Sequence, residues 1–293
     1  MNLLVVGGAG YIGKALVDSL IHAGHNVRVL DQHSPSPKHE FIKEEYICGT
    51  LLDAGILPAA LDDIEAVHHL AWSFYPGDER REVEENLFGT LNLLEACKAS
   101  GVRYFYFAST AAVYGPTGKK AALESDPCHP ERSTIGGPFY AITKLACEHY
   151  VLSSQHDLPA VTIFRIHGVF SQDRLAQFSK MIEQANQGKE VFAIFEAGGH
   201  YAHLDDVVWA MTAVLGREQM SGKIFNLAGS RSYRDQEIAD YIAHKANTGS
   251  KVTLLNDPGQ RMISVSIDKL SKAIGYHPRK NDFLKAFIDL KYA

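Results

Sequence analysis

The feature that most constrains this 293-residue chain lies at its start: Leu3-Leu4-Val5-Val6-Gly7-Gly8-Ala9-Gly10-Tyr11-Ile12-Gly13. An apolar run of strand length ends in glycines at positions 7, 10 and 13, and a helical apolar pattern follows at Ala15, Leu16, Leu20 and Ile21. A strand that turns tightly into a helix aims free backbone N–H groups and the positive end of the helix dipole at one spot. That spot suits a pyrophosphate, which side chains would obstruct. A glycine triplet alone marks many plain turns. Here a second strand, Val27-Arg28-Val29-Leu30, ends at Asp31, about 20 residues past the glycines, where a carboxylate accepts from a ribose 2′-OH. Strand, turn, helix, strand and acid in that order predict a dinucleotide site.

The pattern continues as alternating strands and helices. Strands are expected at Tyr46–Cys48, Ala66–Ala71, Arg103–Ala108 and Ala160–Arg165, and helices near Ala54–Leu61, at Glu79–Ser100 and at Tyr140–His156. Val83, Leu87, Leu91, Leu94 and Cys97 form one stripe of the long helix. Such alternation predicts an α/β fold, a doubly wound parallel sheet of Rossmann type. The later chain mixes helices (175–187, 206–215, 234–246) with short strands (191–195, 223–227), which predicts a smaller mixed α/β C-terminal substrate lobe over the carboxyl ends of the strands. The expected division is residues 1–167 as the dinucleotide-binding domain, with a segment near 203–228 returning to it, and 168–202 with 229–293 as the smaller lobe.

Composition narrows the partners. A net charge of −5 leaves no electrostatic footprint for nucleic acid or an anionic membrane, and no apolar run approaches the roughly 20 residues of a membrane span. The N-terminal run serves as the first strand, so no cleaved leader is expected, and the cytoplasm is the expected compartment. The four cysteines (Cys48, Cys97, Cys128, Cys147) show no metal-ligand spacing; Cys48 and Cys147 read as reduced core residues. His68 and His69 are strand neighbours on opposite faces and cannot share a metal. No metal is expected.

A second constellation is Tyr140-Ala141-Ile142-Thr143-Lys144. A spacing of four puts Tyr140 and Lys144 on one helical face, and a nearby ammonium lowers a phenol's pKa toward proton exchange with a substrate hydroxyl. The same spacing also suits a solvated lysine beside an interfacial tyrosine. Ser109-Thr110, at a strand end, offers a hydroxyl to a reacting oxygen or else caps a turn.

These residues, in this order, resemble the extended short-chain dehydrogenase/reductase superfamily in its NAD-dependent epimerase/dehydratase branch. Further matching stretches are Gly49-Thr50-Leu51-Leu52-Asp53, His69-Leu70-Ala71, Asn86 within Asn86-Leu87-Phe88-Gly89-Thr90, Val113-Tyr114-Gly115, His203-Leu204-Asp205-Asp206 and Phe225-Asn226-Leu227-Ala228-Gly229. The resemblance implies Tyr140 as acid/base, Lys144 as its pKa tuner and a ligand of the nicotinamide ribose, and Thr110 as holder of the substrate oxygen. It implies Gly7, Gly10, Gly13, Tyr11 and Ile12 at the pyrophosphate, Asp31 at the ribose, and Thr50 and Leu51 at the adenine. Leu70, Ala71 and Trp72 would lie along the cofactor, Asn86 behind its pocket, and His167 at the nicotinamide. Arg261 matches a substrate phosphate-binding arginine, and equally suits a surface position. Two helices, Glu79–Ser100 and Tyr140–His156, imply a homodimer.

Departures from the family pattern sharpen the expectation. The Asp-Glu that dehydratases carry after the threonine is Ala111-Ala112 here, so 4,6-dehydration is not expected. The adenine-contacting acid is Thr50, the diphosphate-clasping arginine is Gly199, and the usual asparagine after the Arg165 strand is Gly168. Asp31 repels a 2′-phosphate and Gln32-His33 supplies no arginine for one, so the cofactor expected is NAD. The functions that follow are a nucleotide-sugar 4-epimerase working by transient hydride transfer or an NAD-dependent dehydrogenase/reductase of a smaller alcohol or ketone. A third is a non-catalytic cofactor sensor, against which Thr110, Tyr140 and Lys144 argue.

Overall fold

A computed structural model describes residues 1–34, 45–75, 77–118, 120–133, 135–136, 139–171, 176–257, 262–279 and 283–285. The first stretch forms β1 (Asn2–Val6), α1 (Tyr11–His22), β2 (Asn26–Asp31) and β3 (Tyr46–Cys48). There follow α2 (Leu57–Ala60), β4 (Ala66–His69), α3 (Glu79–Val83), α4 (Gly89–Ala99), β5 (Tyr104–Thr110), α5 (Tyr140–Ser153) and β6 (Ala160–Ile166). Next come β7 (Val169–Phe170), α6 (Ala176–Asn186), β8 (Val191–Ile194), β9 (Gly198–His200), β10 (Ala202–His203) and α7 (Leu204–Ala213). The series ends with β11 (Lys223–Leu227), β12 (Ser232–Arg234), α8 (Asp235–Ala246), β13 (Val252–Leu255) and α9 (Asp268–Ile274).

Seven strands form one sheet in the order β11-β6-β5-β4-β1-β2-β3. In it β1 pairs in parallel with β2 (Val6 opposite Leu30) and with β4 (Val6 opposite His69). Leu3 to Val6 are buried on both faces, as a central parallel strand requires, and α1 buries Leu16, Val17 and Leu20. Phe105, Phe107, Ile163, Leu93, Leu94 and Val151 join Leu4 and Val6 in the core. The order in which strands are added reverses about β1, so β1, β2 and β4 end side by side at the crevice where sheets of this kind take ligands.

Two compact units result: residues 1–110, 135–165 and 208–225, and residues 111–134, 166–207 and 226–293. Segment 111–134, placed with the first domain by sequence, therefore contacts mainly the second unit. The second unit carries three two-stranded ladders, β10·β7, β12·β9 and β13·β8, and its own aromatic core around Phe170, Phe178, Tyr201, Tyr233 and Phe283.

Three local expectations change. The helix over 79–100 is not uniform: a π turn at Glu84–Phe88 separates α3 from α4. Strand β5 runs through Thr110, so Ser109 and Thr110 are strand residues rather than turn caps. Cys48 is not a core residue; it is exposed at the end of edge strand β3, with its thiol toward the Gln32 carbonyl at 3.6 Å, because an edge strand buries only part of its surface.

Candidate active site

The glycine turn is built by contacts that tolerate no side chain. Gly7 adopts φ +83°, and a Cβ there would stand 2.5 Å from Ala71 N, so the loop after β4 closes onto the turn only because this residue is glycine. A Cβ on Gly13 would meet the Gly7 carbonyl at 2.1 Å. The Asp31 carboxylate, buried at the end of β2, accepts from Ala9 N at 2.9 Å and from His33 N at 3.0 Å. Both oxygens are thereby fixed with lone pairs to spare.

Beside this turn lies a cavity of about 330 Å³, lined among others by Gly7, Gly10, Asp31, Thr50, Leu51, Leu70, Ala71, Trp72 and Asn86. Tyr11, Ile12 and Gly13, expected at the pyrophosphate, are not among its lining residues. Asn86, buried in the π turn, accepts from Ser73 N at 2.8 Å and donates to Ser73 O and Glu82 O. It both bonds neighbouring backbone and pins the 70–73 loop, since the extra residue of the π turn re-aims its side chain. Trp72 Nε1 is a buried donor without a hydrogen-bond partner among the described residues.

Thr110, Tyr140 and Lys144 come together at the end of β5. Tyr140 opens α5, its ring 5.6 Å from Trp72 and 5.3 Å from Phe74, its hydroxyl bonded to the Thr110 side chain. Lys144 is buried; its ammonium donates to Ala108 O at 2.6 Å and lies 3.9 Å over the Trp72 ring.

The electrostatics reverse the expected tuning. Burial raises the Tyr140 pKa above the usual phenol value; the Thr110 bond opposes this and the Glu82 carboxylate adds to it. Burial brings the Lys144 ammonium down to about 7. Desolvation disfavours each charged form, so Lys144 does not bring this phenol toward neutrality.

Beneath Lys144 lies a buried group that sequence reasoning missed. Arg165 donates to both Glu148 oxygens, with Arg165 Nη2 to Glu148 Oε2 at 2.8 Å, and the Ser109 hydroxyl donates to Glu148 Oε1. Glu148 stands four residues after Lys144, on the same helical face, and its charge favours the ammonium. That spacing was the available signal; its partners come from two strands.

His167, Gly168 and Gly199 belong to the second unit. His167 is buried, its Nδ1 accepts from Gly168 N at 2.7 Å, and burial lowers its pKa to about 4, so the ring is neutral. A Cβ on Gly199 would meet His167 Cε1 at 2.4 Å, and one on Gly168 would meet the Tyr201 ring at 2.7 Å. The imidazole and phenol fill the space where the family's arginine and asparagine side chains would begin. Arg261 lies outside the described residues.

Comparison with known proteins now bears on this geometry. Residues 3–228 match the profile of the NAD dependent epimerase/dehydratase family. A UDP-glucose 4-epimerase of Lactobacillus helveticus is 27% identical over 82% of this chain and 80% of its own. A trifunctional UDP-glucose 4,6-dehydratase/UDP-4-keto-6-deoxy-D-glucose 3,5-epimerase/UDP-4-keto-L-rhamnose-reductase of Arabidopsis thaliana is 27% identical over 98% of this chain and 46% of its own. The crystal structure of the Thermus thermophilus UDP-glucose 4-epimerase in complex with NAD superposes with a TM-score of 0.78 at 26% identity, covering 95% of this chain and 94% of that one.

Proposed function

The chain belongs to the NAD dependent epimerase/dehydratase family, and on that premise we propose that it is an NAD-using enzyme of nucleotide sugars, specifically a 4-epimerase. The observation that carries this reading is the Tyr140 hydroxyl bonded to Thr110, one helical turn from the buried Lys144 and alongside Trp72 of the cavity wall. The residues fit the cofactor. The turn excludes a Cβ at Gly7 and Gly13, Asp31 is a fixed acceptor, and Trp72 Nε1 is an unused buried donor.

In this reading the glycine turn holds the pyrophosphate, Asp31 the ribose hydroxyls, and Lys144 the nicotinamide end. Bound NAD supplies a reversible hydride acceptor. Thr110 holds the reacting sugar oxygen and Tyr140 moves its proton. Burial keeps the Tyr140 phenol protonated, so it is poised first as a donor, and its use as a base requires a cation or donor to come beside it. Dehydration stays outside the proposal because Ala111 and Ala112, which follow Thr110, exchange no protons. Phe88, Ile142 and Tyr150 are exposed along the 84–88 turn and α5, which supports a homodimer through these helices.

The purified protein is expected to release NAD on acid treatment and to interconvert UDP-glucose and UDP-galactose without added cofactor. A second reading, a dehydrogenase of a smaller alcohol, is favoured by one observation: the His167 ring leaves no room for a phosphate-clasping side chain at Gly199. Cofactor-free protein, inert on UDP- and dTDP-sugars yet reducing NAD with a simple alcohol, would decide for that alternative.

A further inference from the structure

We propose that Glu85 reads the adenine of the cofactor: its carboxylate, positioned by Thr50, accepts from the exocyclic 6-amino group of the base. The inference rests on the reading of the cavity as an NAD site. Among the described residues, Asp31 and Glu85 are the two acidic residues lining it. Asp31 is committed by backbone N–H bonds to the end of β2 beside the glycine turn. Glu85 comes from the π turn, and its Oε2 accepts from the Thr50 hydroxyl at 3.2 Å.

Thr50 itself accepts from Leu52 N at 3.3 Å, which leaves its O–H directed to Glu85. The neighbouring Leu51 carbonyl is held by Asn92 Nδ2 at 3.0 Å, so the loop carrying Thr50 is fixed to α4. Glu85 Oε1 stands 4.0 Å from Arg81 Nε, beyond hydrogen-bond length, and the side chain is 17% exposed. A mostly buried carboxylate therefore keeps acceptor capacity in a cavity that Leu30 and Leu51 line with apolar surface suited to a flat base. The acid absent from position 50 is supplied from another element, with the threonine as its tether. A 6-amino purine satisfies that carboxylate; a 6-oxo purine sets an acceptor against it.

The test is titration calorimetry of the purified chain, first freed of any bound dinucleotide, with NAD and with its hypoxanthine analogue, in which a carbonyl replaces the 6-amino group. The wild type is expected to prefer NAD by at least about tenfold, the scale of a hydrogen bond to a charged group. Glu85→Ala should bring the two affinities within roughly threefold, by weakening NAD and relieving the 6-oxo analogue of the opposed acceptor. Thr50→Val, which keeps the shape and removes the tether, should narrow the preference by less. An unchanged preference in Glu85→Ala, or equal loss for both dinucleotides, overturns the inference while leaving the NAD site standing. If the alanine variant does not fold, Glu85→Met, of similar length and without a strong acceptor, decides, and an undiminished preference there overturns the inference likewise. A wild type that binds neither dinucleotide overturns the functional reading together with it.

Discussion

The glycine turn and the Tyr140 patch belong to the same sheet, yet they are made by opposite means. The turn is backbone: its shape depends on the absence of Cβ atoms at Gly7 and Gly13, and its single charge, Asp31, is held by main-chain N–H groups. The patch is side chain: a phenol, an ammonium and a threonine hydroxyl meet over the buried ion pair of Glu148 with Arg165. A site made of backbone is fixed by sterics and tolerates charge changes nearby. A site made of buried charges is fixed by electrostatics, and each member depends on the others keeping their partners.

The sharpest way to break that comparison is to remove the patch's foundation. Glu148→Ala leaves the Arg165 guanidinium, 4% exposed, without its carboxylate. Stranding a buried charge costs about 3–5 kcal/mol, so urea unfolding should show a loss of that order. Lys14→Ala, at the rim of the cavity, should cost a small fraction of it. Comparable losses from the two would mean the patch is no more interdependent than the turn.

Next in size is the chemistry. Tyr140→Phe removes only the hydroxyl that bonds Thr110, and turnover on the true substrate should fall by a factor on the order of 100 or more, the usual worth of a positioned acid/base. NAD affinity should stay within about twofold, because the turn shares no hydrogen bond with that hydroxyl. Full activity in this variant would remove Tyr140 from the mechanism.

Lys144 supplies a third test, through pH. Its folded pKa, about 7, lies below the unfolded lysine value, so the unfolded state binds the proton more tightly. The resulting destabilisation is complete below the folded value and is relieved as pH rises toward the unfolded one. Between about pH 6.5 and pH 8.5, wild type should gain on the order of 2 kcal/mol relative to Lys144→Met, read as the difference between their urea curves. Taking the difference cancels the buried thiol of Cys97, whose raised pKa acts in the opposite sense at the alkaline end. Parallel curves would show that Lys144 remains fully charged in the fold.

The two regions also differ in how far sequence alone could reach them. The turn is made by residues 7–13 and the end of the next strand, so order and spacing carried its geometry. Tyr140, Lys144 and Thr110 were legible as a set only through resemblance, and the sign of the tyrosine's pKa shift was not, because it depends on how deeply α5 packs against Trp72 and Phe74. The pair of Glu148 with Arg165 and the tether from Thr50 to Glu85 join residues 17 and 35 positions apart. No local pattern marks either partner until the strands bring them together. Gly199 shows the limit in another form: sequence registers a missing arginine, and only packing shows that His167 takes its space.

The smallest predicted effect isolates the one charge that the turn does carry. Asp31 accepts two backbone N–H bonds, and a ribose 2′-OH would add a donor that its remaining lone pairs can take. A 2′-phosphate would instead place a second anion against a carboxylate that burial keeps from being screened. The neighbouring His33 ring, with Nδ1 3.2 Å from Asp31 Oδ1, is exposed and offsets that repulsion only when protonated. NAD should therefore bind at least about tenfold more tightly than NADP. Asp31→Ala should narrow the ratio chiefly by improving NADP, with turnover by Tyr140 unaffected at saturating cofactor. Equal affinities in the wild type would show that this carboxylate serves the turn's own backbone and not the ribose.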